Sequence, residues 1–550
     1  MIRHHALLGA LALSLPALLL VLLLPDGSIV RLFRPALSEL PDALRTGELL
    51  FRAGLLICAL AAWPVWRAWR RPAAAAETGR VWTAREGLWL SGLLALALAL
   101  RLYKLDLGIW YDEIIAVVYY LRIPFGECLT TYVNENQQFV FSIFAHLSIL
   151  LFGEHTWTFR LPAALFGVAG LGAVFVFGRK VAGSAEAAFA TAILAVSYHH
   201  IWFSQNARGY TALFFWTVLA SLLLLRALDD PHPRRWILYA AVAALGVYTH
   251  LTMLFVIAGH FLIYGWWLRR NWARGREGFF LGFLLAGLLT FQLHALVIPQ
   301  MRVAIAQTIS WVDAWKNPLW TFAEMARGIR LSPALLAAGA AGALVFIVGL
   351  VSYARTCRAV IAFLILPAAI GGSYVVAVGH HLWPRFFFFV AGFAVLIAVR
   401  GCRESSVRLL RAMGASPGGQ SRGAAAACAV MVAVSALSMR NVYGPKQDYG
   451  GAMQFVESQR QEGDEVITVG LASWAYRNYF QPPWGAVESV AELEAIRSRV
   501  RRTWVVYTLE PVLDSMHPEL AHAIRRDFSR VRTFRGTLAN GEILVLRAEK

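Results

Sequence analysis

Charge is scarce in this chain. Asp, Glu, Lys and Arg make up 15% of its 550 residues, against about 25% in soluble domains. With a mean hydropathy of +0.56 and repeated apolar runs of about 20 residues, that excludes a soluble globular protein and leaves a polytopic membrane protein. Cysteine is scarce too. The five cysteines, Cys58, Cys128, Cys357, Cys402 and Cys428, form no CxxC or Cys/His metal spacing. In the topology below only Cys128 falls in an outside loop, so no disulfide pair is available there. GxxxxGK[ST], HExxH and a GxGxxG between strand and helix are all missing, so neither nucleotide hydrolysis nor zinc proteolysis is supported. The net charge of +18 would suit nucleic acid. Here the excess sits in short loops between apolar runs, where orientation signals belong. The expected partner is the lipid bilayer, with no nucleic acid.

Candidate spans fall at roughly 4–24, 49–66, 87–104, 162–178, 185–203, 210–227, 236–250, 252–268, 279–297, 333–352, 359–378, 385–400 and 423–440, about thirteen in all. The run Leu7 to Leu24 is long, and no small-residue cleavage site follows before Pro25-Asp26, so it reads as an uncleaved span. Lys and Arg are densest in segments that face inside when the N-terminus is placed inside; Arg67, Arg70, Arg71, Arg80 and Arg85 form one such cluster. One run breaks the alternation. Phe139 to Phe152 is too short to span, and both its flanks face outside, so it is expected as a helix at the outer membrane surface.

After residue 441 charges become frequent. Strand-like runs appear at Val466–Val469, Trp504–Tyr507 and Ile543–Leu546, with helical patterns at 449–460, 490–500 and 518–526. The expected organisation is two extra N-terminal helices (1–85), a membrane core (86–440, first outer loop about 105–137) and a small extracytoplasmic α/β domain (441–550).

Inside loops are too short for a catalytic domain, so any chemistry belongs to the outer face. Polar residues collect there at Trp110-Tyr111-Asp112-Glu113, at Asn134-Glu135-Asn136-Gln137-Gln138, at Ser204 to Tyr210, and at His380-His381-Leu382-Trp383-Pro384-Arg385. A carboxylate can take a proton from an attacking hydroxyl. Arginines at the same level can hold a phosphate by paired hydrogen bonds. One base plus a cationic clamp suits transfer from a lipid phosphate onto a hydroxyl. Each motif also has a plain structural reading: solvated loop charges for Asp112-Glu113, a helix cap for Gln137-Gln138, a snorkelling anchor for Arg208.

At these residues the chain resembles polyprenyl-phosphate-dependent glycosyltransferases of the GT-C superfamily, and within it the dolichyl-phosphate-mannose protein mannosyltransferase-like group. That group includes bacterial aminoarabinose and galacturonic acid transferases acting on lipid A. The resemblance is carried by Leu100 to Glu113, by Leu151 to Gly167, by Ser197 to Tyr210 and by Arg385-Phe386. It implies an inverting transfer outside the cytoplasm, at a cell membrane, from a polyprenyl-phosphate sugar to a lipid, glycan or protein acceptor. It assigns Asp112 as the base and Glu113 as its acidic neighbour. Arg208, Tyr210, Arg385 and Gln205 are expected at the donor phosphate; Asn134, Glu135, Gln137 and His381 at the sugar or acceptor. A divalent cation, Mg or Mn, is left open, since the outer loops hold acids but no defined ligand set. The chain departs from the pattern at Asn206, where relatives commonly carry Glu, at Gly209, where they carry a larger residue, and before the short helix. The competing reading is a transporter or flippase for a lipid-linked or polar solute. That would place ionisable residues near mid-membrane, whereas these collect at span ends.

Overall fold

Apolar runs fold into helices in this computed structural model, which describes residues 14–72 except 17, residues 82–306, residues 312, 317 and 319, and residues 333–550 except 539. The chain is a polytopic α-helical membrane protein with a small α/β unit at its C-terminal end. Among the described residues seven helices are long and apolar enough to cross a membrane. An eighth is added if Met253–Gly275 and Phe279–His294, bent by 113°, form one span. Of the other expected spans, 87–104 falls on the unbroken helix Ala84–Leu102, which carries Arg85, Glu86 and Arg101 at its ends; 185–203 and 236–250 fall on shorter or broken helices, and most of 4–24 lies outside the described residues. Large apolar side chains such as Leu88, Trp89, Leu150, Trp266 and Phe280 stay exposed on the bundle surface, as a lipid-facing surface requires.

Local chemistry sets the breaks. The span expected over 185–203 is two helices, Ser184–Ala195 and Tyr198–Ser204. Ser197 begins the second by accepting from the His200 N–H. The carbonyls freed at the end of the first, Leu194 and Ala195, accept from the buried Arg101 guanidinium. Gly183, at φ 89°, separates Thr156–Ala182 from Ser184–Ala195, a backbone conformation that favours glycine. The short run forms a helix at Phe139–Phe152, as expected, and packs on Thr156–Ala182.

The tail carries a five-stranded sheet of β1 (Glu465–Val469), β2 (Gly485–Val487), β3 (Arg502–Thr508), β4 (Ser529–Phe534) and β5 (Ile543–Glu549), in the order β2-β1-β3-β5-β4. β1 is parallel to β2 and β3; β5 is antiparallel to β3 and β4. The alternation of β3 divides its side chains between two cores. Val505 and Tyr507 pack toward helices Val490–Arg499 and Pro518–Asp527. Trp504 and Val506 join a cluster that also holds Ile109, Ile114 and Ala207. One face of the sheet therefore shares its core with the first loop of the membrane part.

Candidate active site

Asp112 and Glu113 start the helix Tyr111–Ala116. Successive residues of an α-helix point about 100° apart, and the two carboxylates part company. Glu113 is fully buried and meets Arg160 through two bonds: Nε donates to Oε1 at 2.8 Å and Nη2 to Oε2 at 2.6 Å. The Ala207 N–H donates to Oε1 at 2.6 Å and the Trp110 N–H to Oε2 at 3.4 Å. Arg160 spends its other protons on the carbonyls of Leu105, Leu107 and Gly108. Burial pushes the Glu113 carboxyl up, but the Arg160 and Lys446 charges and the Ala207 N–H outweigh it, leaving it below the usual carboxylate range. Glu113 pins the first loop to the Asn206-Ala207 segment, and neither oxygen is open to an acceptor.

Asp112 faces the other way. Its side chain is 18% exposed, and Oδ2 accepts from Arg385 Nη1 at 3.1 Å. Oδ1 has no hydrogen-bond donor among the described residues. Arg385 reaches it from the start of Pro384–Val390, where Pro384 opens the turn, and its Nε is buried without a partner. Arg208, 4% exposed, donates to Asn136 Oδ1 and lies over the Tyr210 ring at 5.8 Å. Its Nε is likewise unpartnered. Both guanidiniums act electrostatically on His250, and Arg385 also senses Tyr210, so the two cations share one neighbourhood. Gln138 Nε2 and Asn206 Nδ2 are buried without hydrogen-bond partners too. Orphaned buried donors cost about 1–3 kcal/mol each; this set matches an anion with several acceptor oxygens.

Other expected site residues are used differently. The Gln205 amide donates to the carbonyls of Arg101 and Tyr103, at 3.1 and 2.6 Å, so it braces the loop and meets no donor phosphate. The Gln137 amide donates to the Cys128 and Thr131 carbonyls, and its oxygen accepts from the Gln138 N–H and Ser142 Oγ. With every site filled it cannot hold a sugar. Asn134 Oδ1 is occupied by Tyr120 Oη and the Asn136 N–H. Glu135 stays exposed, 3.8 Å from His380, and His381 is buried between the rings of His380 and Trp383. No group of three or more His, Cys, Asp and Glu that could hold a metal ion occurs among the described residues. Both carboxylates at the site are already engaged by arginine, so the donor set does not fit a divalent cation.

The tail supplies residues that sequence reasoning passed over. The Gln447 side-chain oxygen accepts from the Tyr111 N–H at 3.0 Å, and its amide donates to Thr508 Oγ1 on β3 at 3.1 Å. Lys446 is buried, and its Nζ donates to the Gln205 carbonyl. Burial and the nearby Arg160 lower its ammonium to about 7, against the opposing pull of Glu113. Trp474 stacks on Tyr119 at 5.5 Å and meets Tyr111 edge-on at 5.8 Å. In the sequence Pro445-Lys446-Gln447-Asp448 matches no motif and follows the last apolar run as a polar stretch.

The family model described as dolichyl-phosphate-mannose-protein mannosyltransferase matches residues 136–296, and the resemblance read from the sequence stands over that segment. No curated protein matches the chain. Among solved structures it is similar to ArnT from Cupriavidus metallidurans bound to undecaprenyl phosphate, at 14% identity, 84% of this chain, 98% of that chain and a TM-score of 0.43. It is similar to the arabinosyltransferase EmbB from Mycobacterium smegmatis, at 14%, 80%, 47% and 0.44. It is also similar to the oligosaccharyltransferase AglB from Archaeoglobus fulgidus in complex with an inhibitory peptide and a dolichol-phosphate, at 12%, 84%, 74% and 0.47.

Proposed function

We propose that the chain is an integral membrane glycosyltransferase that moves a sugar from a polyprenyl-phosphate carrier to an acceptor hydroxyl, with inversion at the anomeric carbon. The observation that carries this reading is the pairing of one open carboxylate oxygen, Asp112 Oδ1, with two arginines, Arg385 and Arg208, each keeping a buried unpartnered Nε. The family model, whose description names a dolichyl-phosphate sugar donor, supports it. In the proposed step the acceptor O–H gives its proton to Asp112 Oδ1. The acceptor oxygen bonds to the anomeric carbon as the bond to the phosphate oxygen breaks. The lipid phosphate leaves with the electron pair, and the two guanidiniums stabilise the charge it gains. No proton has to reach the leaving group, which fits a site holding one open carboxylate.

We place the site on the extracytoplasmic face, because the opposite helix ends carry the dense Arg and Lys clusters; the tail, residues 441–550, then lies on the same side. The deciding experiment is transfer from a labelled polyprenyl-phosphate sugar by the purified protein. Asp112→Asn keeps the shape and removes the base, and should lower transfer by about 10² to 10⁴ with unchanged thermal stability. Transfer at the wild-type rate by that variant would overturn the assignment.

A further inference from the structure

A cavity whose wall carries four cations lies far from Asp112. It has a volume of about 750 Å³ and is lined by Trp82, Arg179, Lys180, Arg226 and Arg400, with no acidic residue in its wall. Its place follows from helix geometry. Arg160, which clasps Glu113, and Arg179 belong to the same helix, Thr156–Ala182; nineteen residues at 1.5 Å each separate them by about 29 Å. Tyr210 and Arg226 lie on Tyr210–Asp229, about 24 Å apart by the same measure. The hydrocarbon core of a bilayer is about 30 Å thick, so the cavity opens at the membrane face opposite the active site.

Snorkelling arginines are expected at such helix ends, and part of this set is satisfied in that way. Arg179 reaches Glu86 at 3.4 Å and stacks on Trp82 at 4.7 Å; Lys180 meets Asp229 at 2.5 Å. Two features exceed that reading. Glu186 is shared by two arginines, Arg400 and Arg403. Arg226 has no acidic partner among the described residues, and the charge that acts on it is another cation, Arg235, which also donates to the Arg226 backbone carbonyl. Cations crowd a concave wall with fewer acids than they need. A guanidinium fork matches phosphate oxygens, and basic pockets between transmembrane helices at one membrane face suit lipid phosphate headgroups.

We infer that this cavity binds a phosphate group, with Arg226 as its principal contact and Arg400 and Lys180 in support. The phosphate belongs either to an anionic phospholipid of that leaflet or to a soluble anion. The inference does not rest on the proposed transferase activity. The purified full-length protein would be titrated with short-chain phosphatidylglycerol or phosphatidylcholine and read by native mass spectrometry. Inorganic phosphate would be compared with chloride at equal ionic strength by thermal unfolding. Phosphatidylglycerol should be retained about tenfold over phosphatidylcholine, the ratio that about 1.4 kcal/mol gives. Arg226→Gln should abolish that preference, with Arg226→Lys keeping part of it. Arg411→Gln, an exposed arginine outside the cavity on the helix of Arg400, should leave it intact. Arg226-dependent stabilisation by inorganic phosphate, without a lipid preference, would support the site and assign it a soluble anion. Arg226 is exposed and unpaired, so its loss should not unfold the protein; Lys180→Gln, at an exposed ion pair, gives an independent reading. Equal retention of both lipids with no phosphate effect would overturn the inference. So would an Arg226→Gln phenotype no larger than that of Arg411→Gln.

Discussion

Adjacent carboxylates are often treated as one acidic unit, yet Asp112 and Glu113 have unlike surroundings and unlike work. Glu113 is buried against a bidentate arginine and two backbone N–H groups. Removing one partner of a buried ion pair leaves the other charge uncompensated, at a cost of about 3–5 kcal/mol. Glu113→Ala should therefore lower stability by about that much in denaturant or thermal unfolding, with loss of activity following loss of fold. A variant unfolding within about 1 kcal/mol of wild type would contradict the anchoring role. Arg385→Gln, at a partly buried pair that keeps one carboxylate oxygen open, should cost far less stability than Glu113→Ala and lower the transfer rate by about 10² to 10³, measured at saturating donor. The resemblance pointed to Asp112, Arg208 and Arg385; their place at the ends of apolar runs alone equally allows solvated loop charges and a snorkelling anchor. Position in the sequence does not by itself divide Asp112 from Glu113, and only the resemblance separates their roles; the physical division depends on Arg160, forty-seven residues away in sequence. Gln205 and Gln137 are expected at the site from the resemblance and from their place in polar clusters, whereas their amides donate to backbone carbonyls, whose positions no side-chain pattern encodes.

At the scale of elements, the helix Tyr111–Ala116 is held at its first N–H by Gln447, and Gln447 is held by β3 through Thr508. The first N–H groups of a helix have no intrahelical acceptor, so this contact sets where the turn bearing Asp112 begins. Gln447→Ala should free that turn without opening a large cavity. A misplacement of about 1 Å can cost about 10² in rate, so kcat should fall about ten- to a hundredfold while the donor KM stays close to wild type. Thr508→Val, which removes the partner of the Gln447 amide, should move kcat the same way by less. A KM change with constant kcat would assign Gln447 to binding. The strands β1, β3 and β5 are legible at 466–469, 504–507 and 543–546 because each contains a short apolar run, β-branched or aromatic in the first two and Ile-Leu-Val-Leu in the third. β2 has three residues, and β4 is an exposed edge whose arginines break the pattern, so neither carried a hydrophobic signal.

Across the whole molecule, the membrane part and the sheet meet over one buried cluster, and Lys446 is a charge that the tail buries in that seam beside Glu113 and Arg160. Its ammonium titrates at about 7 in the folded protein, lowered chiefly by burial and then by Arg160, against about 10.4 in an unfolded chain. Between these values the unfolded state holds a proton that the folded state has lost. Stability must then rise with pH across that window, and the penalty for burying the charge is fully present below pH about 7. Lys446→Met removes the titrating group and keeps most of the volume. Thermal midpoints of wild type and variant measured from pH 6 to pH 10 should therefore converge or cross. Wild type gains on the variant as pH rises above about 7, and the difference is flat below it. Parallel pH profiles for the two proteins would show that Lys446 keeps an ordinary lysine titration, and that the seam tolerates a permanent charge beside Glu113 and Arg160. Convergence would mean that the tail is locked to the membrane core by a neutral amine donating to the Gln205 carbonyl, so that acidification strains the same joint that positions Tyr111 and Asp112.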